Sequence, residues 1–202
     1  MAIKRTGVTA LLVAAFMLAS VPASAQFSDA YNFLKAVRDK DGAKAQTLLD
    51  TAGGGTLVNT RDSGSGEAPL HIVVRRRDIA WLGFLLQAHA DPDVRDRDGN
   101  TPLLLATVTG FTEGVRVLLS IGAKVDLKNS AGETPLIKAV QAHDLSTTKM
   151  LLDAGANPDI SDNAAGYSAR QYAAQDLHGG PVARLLKDAK AEKVAPMQGP
   201  PR

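Results

Sequence analysis

The chain has 202 residues, with 23 lysines and arginines against 21 aspartates and glutamates, and it has no cysteine. A net charge of +2 falls well short of the basic excess that neutralising a phosphate backbone demands, which argues against a nucleic-acid partner. Without cysteine there is no disulfide and no lipid-modified thiol, so stability has to come from packing.

At the N-terminus Lys4 and Arg5 precede an apolar run from Val8 to Val21, and Ala23-Ser24-Ala25 supplies the small residues that a signal peptidase accepts. Residues 1–25 are therefore expected to be a secretory signal cleaved before Gln26. The run is shorter than the roughly 20 apolar residues of a spanning helix, so a membrane-tethered scaffold with an uncleaved signal is the weaker alternative. Removing Lys4 and Arg5 leaves 21 basic against 21 acidic residues. The mature protein is expected to be neutral, without stable membrane insertion, and periplasmic, with secretion as the second option.

From residue 27 onward two landmarks recur. Pro69 in Gly66-Glu-Ala-Pro-Leu70, Pro102 in Gly99-Asn-Thr-Pro-Leu103 and Pro135 in Gly132-Glu-Thr-Pro-Leu136 are 33 residues apart. Leu85-Leu86, Leu118-Leu119 and Leu151-Leu152 keep the same spacing, as a stacked array of identical units requires. Thr101 and Thr134 suit the N-cap of a helix, and the proline after each suits the first helical position, where a missing N–H costs nothing. Leu103 with Ala106, and Leu136 with Ala139, share one helix face and belong in the core. Gly122 and Gly155 should close the second helix of their units. The Asn-, Asp-, Pro- and Gly-rich stretches that follow should form protruding turns.

Two weaker units flank these three. Upstream, Phe33-Leu34-Lys-Ala36-Val37 and Leu48-Leu49 match the helix pair, although Gly53-Gly54-Gly55 lengthens the next turn and no Thr-Pro opens the unit. Downstream, Gly166-Tyr-Ser-Ala-Arg-Gln-Tyr-Ala173 and Leu185-Leu186 follow at a spacing of 34. The expected division is residues 26–190 as one array, with units at about 27–62, 63–98, 99–131, 132–164 and 165–190, and a disordered Pro-rich tail at 191–202.

The pattern Gly-x-Thr-Pro-Leu-x-x-Ala, then Leu-Leu, then Gly-Ala-x-x-Asp resembles the ankyrin repeat over roughly residues 27 to 189. The resemblance implies an all-α solenoid of helix-turn-helix units with β-hairpin-like fingers, three clear repeats and two degenerate caps. The first clear unit departs most from the family. It has Ala68 at the hydroxyl cap, Val73-Val74 for a pair of small residues, and Arg77 and His89 where glycines end the helices. Its regularity is in question.

No chemistry-bearing constellation competes with this reading. His71, His89, His143 and His178 occupy different repeat positions, so convergence on one metal is not expected. Asp91, Asp93, Asp96 and Asp98 fail the calcium-loop spacing around Gly99. Gly53-Gly54-Gly55 lacks a following Gly-Lys-Ser/Thr, and Ser63-Gly64-Ser65-Gly66 is no Gly-x-Ser-x-Gly elbow. No cofactor, metal or catalytic residue is expected, and Trp81 reads as packing.

The resemblance implies a monomeric, non-enzymatic scaffold that recognises another protein through the concave inner-helix face and the finger tips. In the groove register stand Ile72, Arg75, Arg76, Leu105, Val108, Lys138, Gln141 and Tyr172, and on the fingers Arg95, Arg97, Lys128 and Asn129. These mix apolar side chains, an aromatic and arginine, the types that anchor interfaces. The alternative is a small-ligand or hydrolytic site around His71, Arg75, Arg76 and His89, which would show as a closed pocket holding two or more of them.

Overall fold

The computed structural model describes residues 23–51, 54–175 and 180–189. The greater part of the expected signal, the tail at 191–202 and His178 lie outside them. Eleven helices are described: α1 (Ala23–Asp39), α2 (Gly42–Thr51), α3 (Gly54–Leu57), α4 (Pro69–Arg75), α5 (Ile79–Gln87), α6 (Pro102–Val108), α7 (Thr112–Ser120), α8 (Pro135–Gln141), α9 (Leu145–Asp153), α10 (Ala169–Ala174) and α11 (Pro181–Asp188). The inner helices α1, α4, α6, α8 and α10 pack in sequence to form one layer, and α5, α7, α9 and α11 pack in sequence to form the outer layer. This is the expected solenoid of three clear helix pairs between two atypical ones.

Side-chain caps explain where α6, α8 and α10 begin. Thr101 and Thr134 accept from the N–H groups of Leu104 and Ile137 at 3.2 Å, and Ser168 accepts from Gln171 at 3.3 Å. Each of these bonds satisfies an N–H that the helix itself cannot pair. Outer helices α5 and α9 start instead on Asp78 and Asp144, which accept from Trp81 and Thr147. Between the layers Leu70, Leu85, Leu103, Leu118, Leu136 and Leu151 are buried, and Ala106 and Ala139 are fully buried where the next unit comes close. Each such leucine contributes roughly 2 kcal/mol relative to exposure. In the three clear units the second leucine of the pair, Leu86, Leu119 and Leu152, is partly buried against the same core, whereas Leu49 and Leu186 of the flanking units lie within it.

The first clear unit is regular after all. Arg77 takes φ +54° where Gly110 takes +63°, and His89 takes +63° where Gly122 and Gly155 take +86° and +85°. Side-chain-bearing residues thus hold the left-handed turn, at a cost of about 1 kcal/mol each. Val73 and Val74 are both fully buried.

The fingers are stitched to each other as well as closed on themselves. Backbone bonds close them: Asp62 N–H to Glu67, Asp96 to Asn100, Asn129 to Glu133 and Asp162 to Tyr167, and in the first three the N–H of Gly66, Gly99 and Gly132 returns to the carbonyl of Asp62, Asp96 and Asn129. Among the described residues the sole bridge is Ser161 with Ser168, outside any named strand. From finger to finger, Arg97 N–H donates to the Ser65 carbonyl, Ser130 to Asp98 and Asn163 to Ala131, at 3.1, 2.8 and 2.8 Å. A second series runs beside it. Asn59 accepts from the Asp91 N–H, Asp93 from Lys124 and Asp126 from Asn157, at 2.8, 2.9 and 3.0 Å. Of the aspartates weighed for a calcium loop, the Asp91, Asp93 and Asp96 carboxylates accept from the N–H groups of Asp93, Lys124 and Asn100.

Candidate functional site

The candidate site lies on the inner helices and the finger stems. Ile72 and Arg75 stand on α4, Val108 on α6, Lys138 and Gln141 on α8 and Tyr172 on α10, with Arg75, Val108 and Gln141 at one repeat position and Ile72 and Lys138 at another. Three of the polar members tie back to the stem of their own finger. Arg75 donates from Nε and Nη2 to Glu67 at 3.0 and 2.7 Å. Lys138 Nζ reaches Glu133 at 3.1 Å and Gln141 at 3.0 Å. The Tyr172 hydroxyl donates to Asp162 at 2.5 Å. That bond holds the Asp162 carboxyl below its usual range, assisted by the N–H groups of Ala165, Gly166 and Tyr167, and it pushes the Tyr172 phenol up.

Between these polar ties the second unit leaves an apolar gap. Its stem residue, Asn100, turns to Asp96 and to Asn129, and makes no bond into the groove. Val108 is 52% exposed there, with Ile72 half-buried one unit away. At the far end Tyr167 is 40% exposed and meets Tyr172 edge to face, with centroids 5.6 Å apart at 82°. The inner helices thus present an exposed apolar residue at Val108, an aromatic pair at Tyr167 and Tyr172, and polar side chains anchored to the finger stems. Such a surface suits an extended or helical segment of a partner.

Several expected positions are placed otherwise. Leu105 is only 5% exposed and belongs to the core, because α6 turns that side chain between its neighbours. Arg76 leaves the groove altogether. It is the C-cap of α4, and its Nη1 donates to the Val37 and Arg38 carbonyls at 2.7 and 3.2 Å. Those carbonyls end α1, where unpaired acceptors and the helix dipole attract a cation. Nη2 lies 3.3 Å from Asp78, and the guanidinium sits 5.9 Å from the Trp81 ring centre. Burial acts to raise the Asp78 pKa, but the Trp81 N–H, Lys40 and Arg76 outweigh it and hold that carboxyl below its usual range. Trp81 itself packs edge to face on Phe84 at 5.3 Å.

The finger residues divide similarly. Arg95 donates to the Lys128 carbonyl at 2.7 Å and Arg97 to the Ser63 carbonyl at 3.0 Å, each spanning two fingers. Asn129 is half-buried, bonding Asn100 and Glu133. Lys128 is exposed. Three of the four thus serve the stack, whatever else they contact.

Tyr167 is the residue that motif reading passes over. It stands at the variable position of Gly-x-Thr-Pro, in line with Glu67, Asn100 and Glu133, so following that column would have revealed it. The four residues of the alternative small-ligand reading diverge. His71 is fully buried, Arg75 faces the groove, Arg76 faces α1, and His89 is exposed beyond α5. Among the described residues no group of three or more His, Cys, Asp or Glu side chains is placed to hold a metal ion. Nor, among those residues, is any helix long and apolar enough to cross a membrane.

Comparison with known proteins agrees with this geometry. A family model for ankyrin repeats in three copies matches residues 33–129, and a single ankyrin-repeat model matches residues 131–163. Among curated proteins the chain is similar to the human 2-5A-dependent ribonuclease, 39% identical over 88 residues, covering 43% of this chain and 11% of the relative. It is 38% identical over 69 residues to the chicken nuclear factor NF-kappa-B p105 subunit, covering 34% of this chain and 7% of the relative. It is also 31% identical over 90 residues to the chicken NF-kappa-B inhibitor alpha, covering 45% and 28%. The chain thus spans under a third of the length of each of these relatives.

Proposed function

The chain belongs to the ankyrin-repeat proteins, and on that premise we propose that it is a non-enzymatic scaffold of the cell envelope that receives another protein in its concave groove. Ankyrin repeats mediate protein–protein interaction, and the ribonuclease and the inhibitor are matched over only 11% and 28% of their length, so the reading rests on the repeats rather than on either relative's activity. The observation that carries the reading is the exposure of Val108 on α6, with the Tyr167–Tyr172 pair in the last unit. Arg75, Lys138 and Gln141 stand on α4 and α8 to either side of α6, and Lys128 with the outer parts of Arg95 and Arg97 forms the finger rim. The partner meets the groove as a monomeric array, and no cofactor takes part.

The N-terminal pattern supports export, with Gln26 as the first residue of a mature periplasmic protein. Mass analysis of the purified protein tests this. Recovery of an intact Met1 form in the membrane pellet would overturn it in favour of a tethered scaffold.

Photo-crosslinking tests the groove. A crosslinkable residue at Val108 or Gln141, in native envelope, should capture one partner that the same residue at Arg116, exposed on outer helix α7, does not capture. Capture from position 116 and not from 108 or 141 would sink the assignment.

A further inference from the structure

One buried ionisable group plays no part in the groove. His71, fully buried in α4, occupies the third helical position of its unit, where the second and third units carry Leu104 and Ile137. Both of its ring nitrogens are engaged. Nδ1 lies 3.0 Å from the Ala68 N–H, which can only donate, and Nε2 lies 2.9 Å from the Asn100 carbonyl, which can only accept. The ring is therefore the neutral tautomer with its proton on Nε2. It bonds the N-cap of its own helix on one side and the finger of the following unit on the other.

We propose that His71 makes the seam between the first and second clear units an acid-sensitive joint, which loosens the N-terminal part of the array while the C-terminal units stay folded. The geometry leaves an imidazolium no place. A proton added at Nδ1 would set two donors face to face with the Ala68 N–H, so the ring has to break the N-cap bond to hold it. Ala68 has no hydroxyl to supply a substitute acceptor, whereas Thr101 and Thr134 cap their helices without any ionisable group. In the last unit Gln171 does the same work uncharged, accepting from the Ser168 N–H at 2.8 Å. Among the described residues, the helix N-cap bonded by a histidine ring is that of α4.

The charged groups facing the ring are Asp96, Glu67 and Arg61. Burial opposes the cation most strongly and Arg61 acts with it, against the Asn100 carbonyl, Asp96 and Glu67, and the balance lowers the pKa. The sign follows. Stability from the neutral ring is complete above the ordinary value of 6.5 and is lost on acidification below it, because the unfolded chain takes up the proton first.

Hydrogen exchange of the wild-type protein, corrected for intrinsic rates, tests the joint between about pH 7.5 and about pH 5. Amides of α4 and α1 should lose protection at the acid end, while those of α8 and α9 keep theirs. His71→Gln, which places the Gln171 solution in the first unit, should abolish that difference. A loss spread evenly along the array, no loss in wild type, or the same loss in His71→Gln would overturn the proposal. Should the variant fold poorly, histidine-selective NMR on wild type decides. Protonation of His71 has to coincide with loss of protection in α4, and a protonated ring with α4 still protected refutes the joint.

Discussion

Arg75 and Arg76 are neighbours of one type on one helix, yet the structure assigns them different energies. Arg76 gives two charge-assisted bonds to the end of α1, a stacking contact to Trp81 and an ion pair with Asp78. Hydrogen bonds involving a charged group contribute about 1.5–3 kcal/mol each, and the ring contact about 0.5–1. Against this stands the desolvation of the guanidinium, whose Nε is buried with no acceptor. Loss of Arg76 leaves Asp78 with Lys40 at 3.1 Å and the Trp81 N–H, so no buried charge is stranded. Arg76→Ala should therefore cost about 2 kcal/mol net, which in a domain of this size lowers Tm by roughly 4–8 °C. Arg75→Ala removes an exposed pair with Glu67 and should cost no more than about 0.5 kcal/mol. Urea titration followed by circular dichroism measures both. The fluorescence of Trp81, the one tryptophan, reports the seam directly. Equal costs for the two substitutions, or a cost below about 0.5 kcal/mol for Arg76→Ala, would refute the assignment of Arg76 to the α1 terminus.

Two further substitutions probe the stack. Gly132 has φ +77°, and an added Cβ would lie 2.7 Å from the Asn163 nitrogen, while Gly122 has φ +86° with nothing near. Gly122→Ala should cost about 1 kcal/mol from the left-handed turn alone, and Gly132→Ala about 2–3, as the next finger is pushed away. Paired urea midpoints check the gap. In α9 the Thr148 hydroxyl is fully buried with no hydrogen-bond partner. Thr148→Val should raise stability by about 1 kcal/mol, read as a higher Tm, and an unchanged or lower Tm would show that the hydroxyl is satisfied.

The repeat period made the fold legible because every unit solves the same burial problem with the same residues. Pro102 and Pro135 located helix starts, and Gly122 and Gly155 located helix ends, from local chemistry alone. Long side chains were another matter. Register places Arg76 on the groove side of α4, but the unpaired carbonyls at the end of α1 decide where its guanidinium goes, and these belong to a distant stretch of chain. Leu105 shows the same limit for an apolar side chain, since the neighbouring unit closes over it. Arg95, Arg97 and Asn129 read as finger-tip contacts because their acceptors lie on the adjacent finger, 29 to 34 residues away. Arg77 and His89 looked like defects because the family uses glycine there, yet the left-handed turn tolerates a side chain that points into solvent.

The two series of bonds from finger to finger give the array an unequal mechanical character. Along the finger side each unit is fastened to the next by short, directional links to backbone N–H groups, whereas the outer helices meet through dispersion and apolar burial, which fall off gradually with separation. Bending should therefore open the outer layer and leave the finger spacing nearly fixed, as a fan spreads about its rivet. A partner that needs a more strongly curved inner face would be met by splaying α5, α7 and α9, with the fingers serving as the ruler that keeps the distance between successive contacts constant.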